Sequence, residues 1–296
     1  MFVEACAKSI KYTKPMIVST ALVDGTVNSG FGTYIMINRD GWAITAGHCV
    51  SCIAQERDNH ERMREIDAYN NEHPSEKKEY DPKWLRAESI WWGEDRIRLE
   101  VAHILPDIDL AIVKLVNIPP NFVTEYPTFK SVENIKQGMS LCRIGFPFLS
   151  IKSSFAPEFN RFTLDSLPGE LMNQYFPNEG ILTRTITRAM KQPDGTIVKI
   201  GPSGIPPLFI ETSSPGLRGQ SGGPIFDTSG NIVGMQSQTA HMDLGFGDCQ
   251  INSKYMPEQF LNVGLGVHTA TILKALDKYG VKYKSESDDD GYRIIG

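Results

Sequence analysis

Thr33-Tyr34-Ile35-Met36-Ile37-Asn38-Arg39-Asp40-Gly41-Trp42-Ala43-Ile44-Thr45-Ala46 carries the reading of the fold. Two runs rich in β-branched and aromatic residues flank Asp40-Gly41, a dipeptide suited to a tight chain reversal, so the stretch reads as a β-hairpin. The theme recurs at Asp194-Gly195, between Met190 and Ile200, and at Ser229-Gly230-Asn231 before Ile232-Val233-Gly234-Met235. Short apolar runs punctuated by turn residues predict antiparallel β structure for most of the chain.

Four segments depart from that pattern. Residues 51–95 read as a charged, partly helical surface insertion: 55–72 is dense in Glu, Arg, Asp and Asn, with Ile53, Met63 and Ile66 as its few apolar anchors. Residues 119–138, opening on Pro119-Pro120, read as a linker between two β halves. Residues 149–175 read as an inserted loop or short helices. Over 271–279 the spacing of Ile272, Leu273 and Leu276 predicts a helix with Gly280 as its C-cap, and the acidic residues 285–290 read as a frayed tail.

The composition, 41% hydrophobic and 22% charged over 296 residues, is that of an ordinary globular protein able to bury one large core or two moderate ones. A net charge of -5 gives no global basic field, so neither nucleic acid nor a membrane surface is an expected partner. No apolar run reaches the ~18 residues of a membrane span, and the first sixteen residues lack the pattern of a secretory leader. Five irregularly spaced cysteines (Cys6, Cys49, Cys52, Cys142, Cys249) do not form a disulfide framework. Cys49-x-x-Cys52 has no second Cys/His pair to complete a zinc site, so a plain reduced pair is the better reading than a metal or redox role. A cytoplasmic location follows as the expectation.

Three sites converge on one chemistry. Thr45-Ala46-Gly47-His48-Cys49 places a histidine at the end of an apolar strand. Asp107-Ile108-Asp109-Leu110-Ala111-Ile112-Val113-Lys114-Leu115 opens an alternating strand with an acid. Gly219-Gln220-Ser221-Gly222-Gly223-Pro224-Ile225 is a glycine-rich turn entering a third strand. Acyl transfer needs a nucleophilic hydroxyl, a base to take its proton and an acid to orient that base. It also needs N–H donors for an oxyanion, which a glycine-rich turn presents without side-chain obstruction. Gly219 and Ser221 are the expected donors. Neither metal nor organic cofactor is needed.

On these residues the chain resembles the chymotrypsin-like serine peptidases, especially the bacterial HtrA-type branch. The resemblance runs in order through residues 29–50, the Asp109-Leu110-Ala111-Ile112-Val113-Lys114 strand, residues 135–147, and residues 209–236. It implies an all-β fold of two antiparallel six-stranded barrels, at roughly 16–118 and 135–270. Subdomains of 1–130 and 131–296 would carry His48 with Asp109, and Ser221, respectively. His48 would be general base then acid, Asp109 its orienter and Ser221 the nucleophile. Asp107 is a rival acid, but the Asp-Leu-Ala register favours Asp109 and leaves Asp107 as a turn cap.

Departures from the family pattern matter as much. The cysteine after the histidine has no disulfide partner at 32–34, which suits a reduced thiol. Gln220 stands where zymogen-type members carry an aspartate that pairs with a newly cut N-terminus, so activation by that ion pair is not expected. Too few residues follow the C-terminal helix for a PDZ domain. By resemblance, Pro215 lies at the base of the pocket for the residue before the scissile bond. An apolar residue there disfavours lysine or arginine. Gln236, Ser237 and Gln238 would form one wall and pair with an extended protein or peptide substrate. His268 is a candidate reader of an acidic or amide side chain, weighed against a buried strand histidine outside the pocket. His60, His73, His103 and His241 have no partner at recognisable spacing. Two further readings are a peptidase gated by a regulatory protein docked on 51–95 and a non-cleaving peptide-binding adaptor.

Overall fold

The computed structural model describes residues 1–164, 174–188, 190–191, 197–198, 200–244 and 260–286. Six strands form the first antiparallel sheet: β1 (Thr13–Leu22), β2 (Val27–Met36), β3 (Trp42–Ala46), β4 (Leu85–Trp91), β5 (Arg98–Leu105) and β6 (Leu110–Val116). Their order, β4-β1-β2-β3-β6-β5, curls into a half-barrel with β4 and β5 as its free ends. The hairpin at 33–46 forms as read, in register Ile35↔Ile44. The Asn38 side-chain carbonyl accepts from the Asp40 and Trp42 N–H groups and shapes the turn.

The second sheet takes β7 (Thr128–Phe129), β8 (Ser140–Arg143), β11 (Asn178–Thr187), β14 (Leu208–Thr212), β15 (Pro224–Phe226), β16 (Ile232–Asp243), β17 (Phe260–His268) and β18 (Lys284–Ser285). Six of them run β15-β8-β11-β14-β17-β16, and a β15–β16 pairing closes the ring. Two hairpins lie outside the barrels: β9 (Ser153–Ala156) with β10 (Arg161–Leu164), and β12 (Met190–Lys191) with β13 (Ile197–Val198). One apolar cluster joins the barrels, from Tyr34, Ile44 and Ile112 to Phe209, Ile232, Met235 and Val267. Helix α3 (Thr269–Lys278) packs its Ile272, Ala275 and Leu276 into that cluster. Gly280 ends it as expected, with the Val281 N–H donating to the Leu276 carbonyl. At the other end, α1 (Val3–Ser9) sets Phe2 edge-on against Phe226.

Four sequence expectations need correction. The charged insertion is shorter than 51–95: α2 (Ser51–Glu72) is one continuous helix, but Leu85–Trp91 is the barrel strand β4, paired with β1. Its alternation was masked by the charges on either side. α2 is held by polar contacts more than by its apolar residues: the Asn59 Oδ1 accepts from the Leu85 N–H at 2.8 Å, and His60 Nε2 reaches the Arg86 carbonyl at 2.7 Å. The 119–138 linker contributes β7, which runs parallel to β16 and β18. Residues 153–164 form a hairpin rather than a loop or short helices, and Ser153 anchors it to Ser19 and Ser29 of the first barrel. The start of the acidic tail is not frayed. Lys284–Ser285 is β18, and Glu286 bonds the Ser131 N–H and pairs with Lys130. The Asp194-Gly195 turn, Cys249 and residues 287–290 lie outside the described residues.

Candidate active site

Strand register brings the histidine and the acid to one edge. Ala46 on β3 pairs with Leu110 on β6. His48, in the 3-10 turn Gly47–Cys49 after β3, therefore meets Asp109, which precedes β6. Asp109 sits in the left-handed region at φ 49, a conformation aspartate tolerates better than most residues. Its carboxylate accepts from the His48 backbone N–H at 2.9 Å, and both its oxygens lie 3.0 Å from His48 Nδ1. A third donor, the Ser237 hydroxyl on β16, reaches Oδ2 at 2.5 Å.

These bonds fix the ionisation of the pair. Burial alone would raise the Asp109 pKa, but the bonds from His48 and Ser237 overcome it and hold the carboxyl below its ordinary value. The carboxylate raises the His48 pKa well above the usual imidazole value, with the Cys49 sulfur adding a smaller push. An ionised carboxylate only accepts, so Nδ1 carries a proton and, in the neutral ring, Nε2 is left as the basic nitrogen.

Ser221 lies in the turn between β14 and β15. Its hydroxyl donates to the Ser237 carbonyl at 3.2 Å rather than to the imidazole, and among the described residues no bond joins Ser221 to His48. Ser237 thus touches both parts of the site, with its hydroxyl on Asp109 and its carbonyl on Ser221. The turn is stitched to the first barrel by Thr33: its N–H donates to the Ser221 carbonyl at 2.8 Å and its hydroxyl to the Gly219 carbonyl at 2.7 Å. Cys49 stands beside the same place, its Sγ 4.0 Å from the Ser221 carbonyl. The Gly219 and Ser221 N–H groups meet no acceptor among the described residues, so both are free to bind one.

Gln220, fully buried, holds the turn without a charge. Its Nε2 donates to the Phe176 carbonyl and its Oε1 accepts from the Leu217 N–H, each at 3.0 Å. A hollow of about 430 Å³ opens beside Ser221, lined by Pro215, Gly216, Gln236, Ser237 and Gln238 together with Arg218, His241 and Asn262. The sequence-derived wall is therefore brought to the hollow, whereas His268 is not. Its buried ring caps α3, Nδ1 accepting from the Ala270 N–H at 2.9 Å, and burial lowers its pKa to about 4. A histidine at a strand-to-helix junction finds a backbone donor two residues on, and that bond turns it from the hollow.

Asp107 meets a loop serine rather than His48. It accepts from the Ser203 N–H at 3.1 Å and the Ser203 hydroxyl at 2.6 Å, tying down the loop before β14. Cys6, Cys49, Cys52 and Cys142 are free thiols, and burial pushes Cys52 up to about 12. Among the described residues no group of three or more His, Cys, Asp or Glu could hold a metal ion. Sequence reasoning missed the Ser237–Asp109 bond, His241, Asn262 and Arg143. Arg143 alone left a signal, a charged residue inside the apolar strand Leu141-Cys142-Arg143-Ile144.

A pH dependence follows from the raised His48 value. With His48 acting as base toward Ser221, the rate of acylation would rise with pH on a limb whose midpoint lies above pH 6.5, because the ring would first have to lose its proton. The stability contribution runs the other way: it is fully present below pH 6.5 and fades as pH rises through the folded value. Acylation rates and melting temperatures measured over pH 5–10 test both signs, and a limb centred at or below pH 6.5 would contradict the Asp109 effect.

Comparison with known proteins identifies the family. The trypsin-like peptidase domain family matches residues 30–235. Among solved structures, the Rv3671c protease from M. tuberculosis in its active form matches with a TM-score of 0.51 and 14% identity, over 100% of this chain and 87% of that one. A serine-to-alanine variant of the HtrA-type protease AlgW with a decapeptide matches at 0.49 and 14%, over 95% of this chain and 68% of that one. No curated protein matches by sequence. With a family match over more than half its length, the chain belongs to the trypsin-like peptidases and is a serine endopeptidase.

Proposed function

We propose that the protein cleaves protein or peptide substrates through an acyl-enzyme, with Ser221 as nucleophile, His48 as general base then acid, and Asp109 as orienter. The observation that carries this reading is the shared contact at Ser237, which bonds Asp109 through its hydroxyl and Ser221 through its carbonyl. A rotation about the Ser221 side chain would release its hydroxyl from that carbonyl and turn it toward Nε2. The proton then passes to His48 as Oγ attacks the scissile carbonyl, and the Gly219 and Ser221 N–H groups receive the oxyanion. His48 returns the proton to the leaving amine, and water repeats the sequence on the acyl-enzyme. The substrate backbone would add as an extended strand along residues 237–239. A cytoplasmic location rests on the sparse, odd set of cysteines; no described helix is long and apolar enough to cross a membrane.

A fluorophosphonate probe tests the nucleophile directly. Wild-type protein should be labelled covalently, and mass spectrometry should place the adduct on the peptide containing Ser221. An adduct elsewhere, or none, would overturn the assignment.

A further inference from the structure

Behind the hollow beside Ser221 lies a charge that bond cleavage itself does not use. Arg143, on β8, is only 2% exposed. Nη1 donates to Gln236 Oε1 at 2.6 Å; Nη2 reaches the Thr212 hydroxyl, the Ser214 carbonyl at 3.0 Å and the Ser214 hydroxyl at 3.4 Å. Every one of these acceptors is neutral. Among the described residues no carboxylate pairs with Arg143. Glu211, the acid on β14 beside Thr212, is committed to Arg184 at 2.7 Å. Burial lowers the guanidinium to about 10, which still leaves it charged at neutral pH.

The surrounding backbone is cut to fit this charge. A side-chain carbon at Gly264 would collide with both Nη atoms, so β17 passes closely over the guanidinium only because residue 264 is glycine. On the opposite side, a side-chain carbon at Gly216 would collide with the Gln236 amide. Gln236 and Gly216 both line the hollow. The Gln236 amide is therefore the layer between the hollow and Arg143. Its Oε1 is held by the guanidinium, and its Nε2 donates to the Gln238 carbonyl at 2.9 Å with its second hydrogen uncommitted among the described residues.

A buried cation without an anion is a standing cost to the fold, and it becomes an asset when a ligand supplies the missing charge. We propose that this hollow receives the side chain before the scissile bond and selects an acidic one, aspartate or glutamate, with Arg143 as the specificity-determining charge. The inference rests on the peptidase reading above. A carboxylate gains both the Gln236 N–H and the field of Arg143; a glutamine side chain gains only the hydrogen bond; a lysine meets a like charge. The unit charge, felt across one amide layer, favours the acid over its amide roughly tenfold or more.

The test uses the full chain and a matched series of peptidyl diphenyl phosphonates with Glu, Asp, Gln, Leu or Lys at the position before the phosphonate. The expected result is inactivation by the Glu or Asp member about tenfold or more faster than by Gln, and about a hundredfold faster than by Lys. In Arg143→Met the acid-to-amide ratio should fall toward one. That ratio is read within a single protein sample, and the wild-type series alone decides the matter if the variant does not fold. Fastest inactivation by Gln, Leu or Lys, or an unchanged ratio in a folded Arg143→Met, overturns the proposal while leaving Ser221 in place. Failure of the unselective fluorophosphonate to label wild type strikes the peptidase reading instead, and the pocket assignment with it.

Discussion

Asp109→Asn is expected to slow acylation by about 10⁴-fold. The His48 backbone N–H requires an acceptor at the Oδ1 position, so an asparagine amide places its N–H groups at the Oδ2 position, 3.0 Å from His48 Nδ1. Nδ1 would then serve as acceptor, the ring proton would move to Nε2, and the base would be blocked. The substitution also removes the negative charge that raises His48, so the residual activity should show a rate limb at lower pH than the wild type. Turnover of a fluorogenic peptide across pH separates the two effects. A rate within tenfold of wild type would mean that another acid serves His48. Asp107→Asn is the control: its carboxylate is occupied by Ser203, so near-normal turnover is expected with some loss of stability.

Gly222→Ala is expected to cost about 2–4 kcal/mol of stability and to disable the site with it. Two penalties add. Gly222 has φ +86, where any side chain is strained, and a side-chain carbon there would overlap the Thr33 carbonyl and the Thr45 hydroxyl and lie 3.0 Å from the Ala46 nitrogen. All three belong to the first barrel, and the carbonyl and amide nitrogen cannot rotate away. Gly138→Ala supplies the comparison, since it has nearly the same φ (+87) with nothing within 4 Å. Thermal unfolding should therefore show a drop of roughly 5–10 °C for the first and a clearly smaller one for the second. Equal drops would show that backbone strain alone, without the barrel contact, sets the cost.

Much of the active-site region was legible because its signals are local. Thr45 to Cys49, Asp109 to Lys114 and Gly219 to Pro224 each sit at the end of a strand readable from its own residues. Barrel geometry then brings the strand ends together without further instruction. The choice of Asp109 over Asp107 came from register alone, and the structure adds the physical ground: one carboxylate meets the imidazole, the other a loop serine. What stayed hidden depends on partners far apart in sequence. The Ser237–Asp109 bond spans 128 residues and the Arg143–Gln236 bond spans 93, and neither leaves a spacing to recognise. His268 was left between two readings because a capping histidine and a pocket histidine look alike until the start of the next helix is placed. The strand at Leu85–Trp91 hid because it stands among charges on a sheet end, where alternation is diluted.

The two bonds from Thr33 also have a consequence in time. Thr33 lies far ahead of the turn around Ser221 in the chain, yet that turn is fastened to it by two hydrogen bonds. Strand β16 behind it is in turn paired with β17, as far along the chain as His268. A growing chain therefore cannot hold the Ser221 turn in its final form until β16 and β17 have been made.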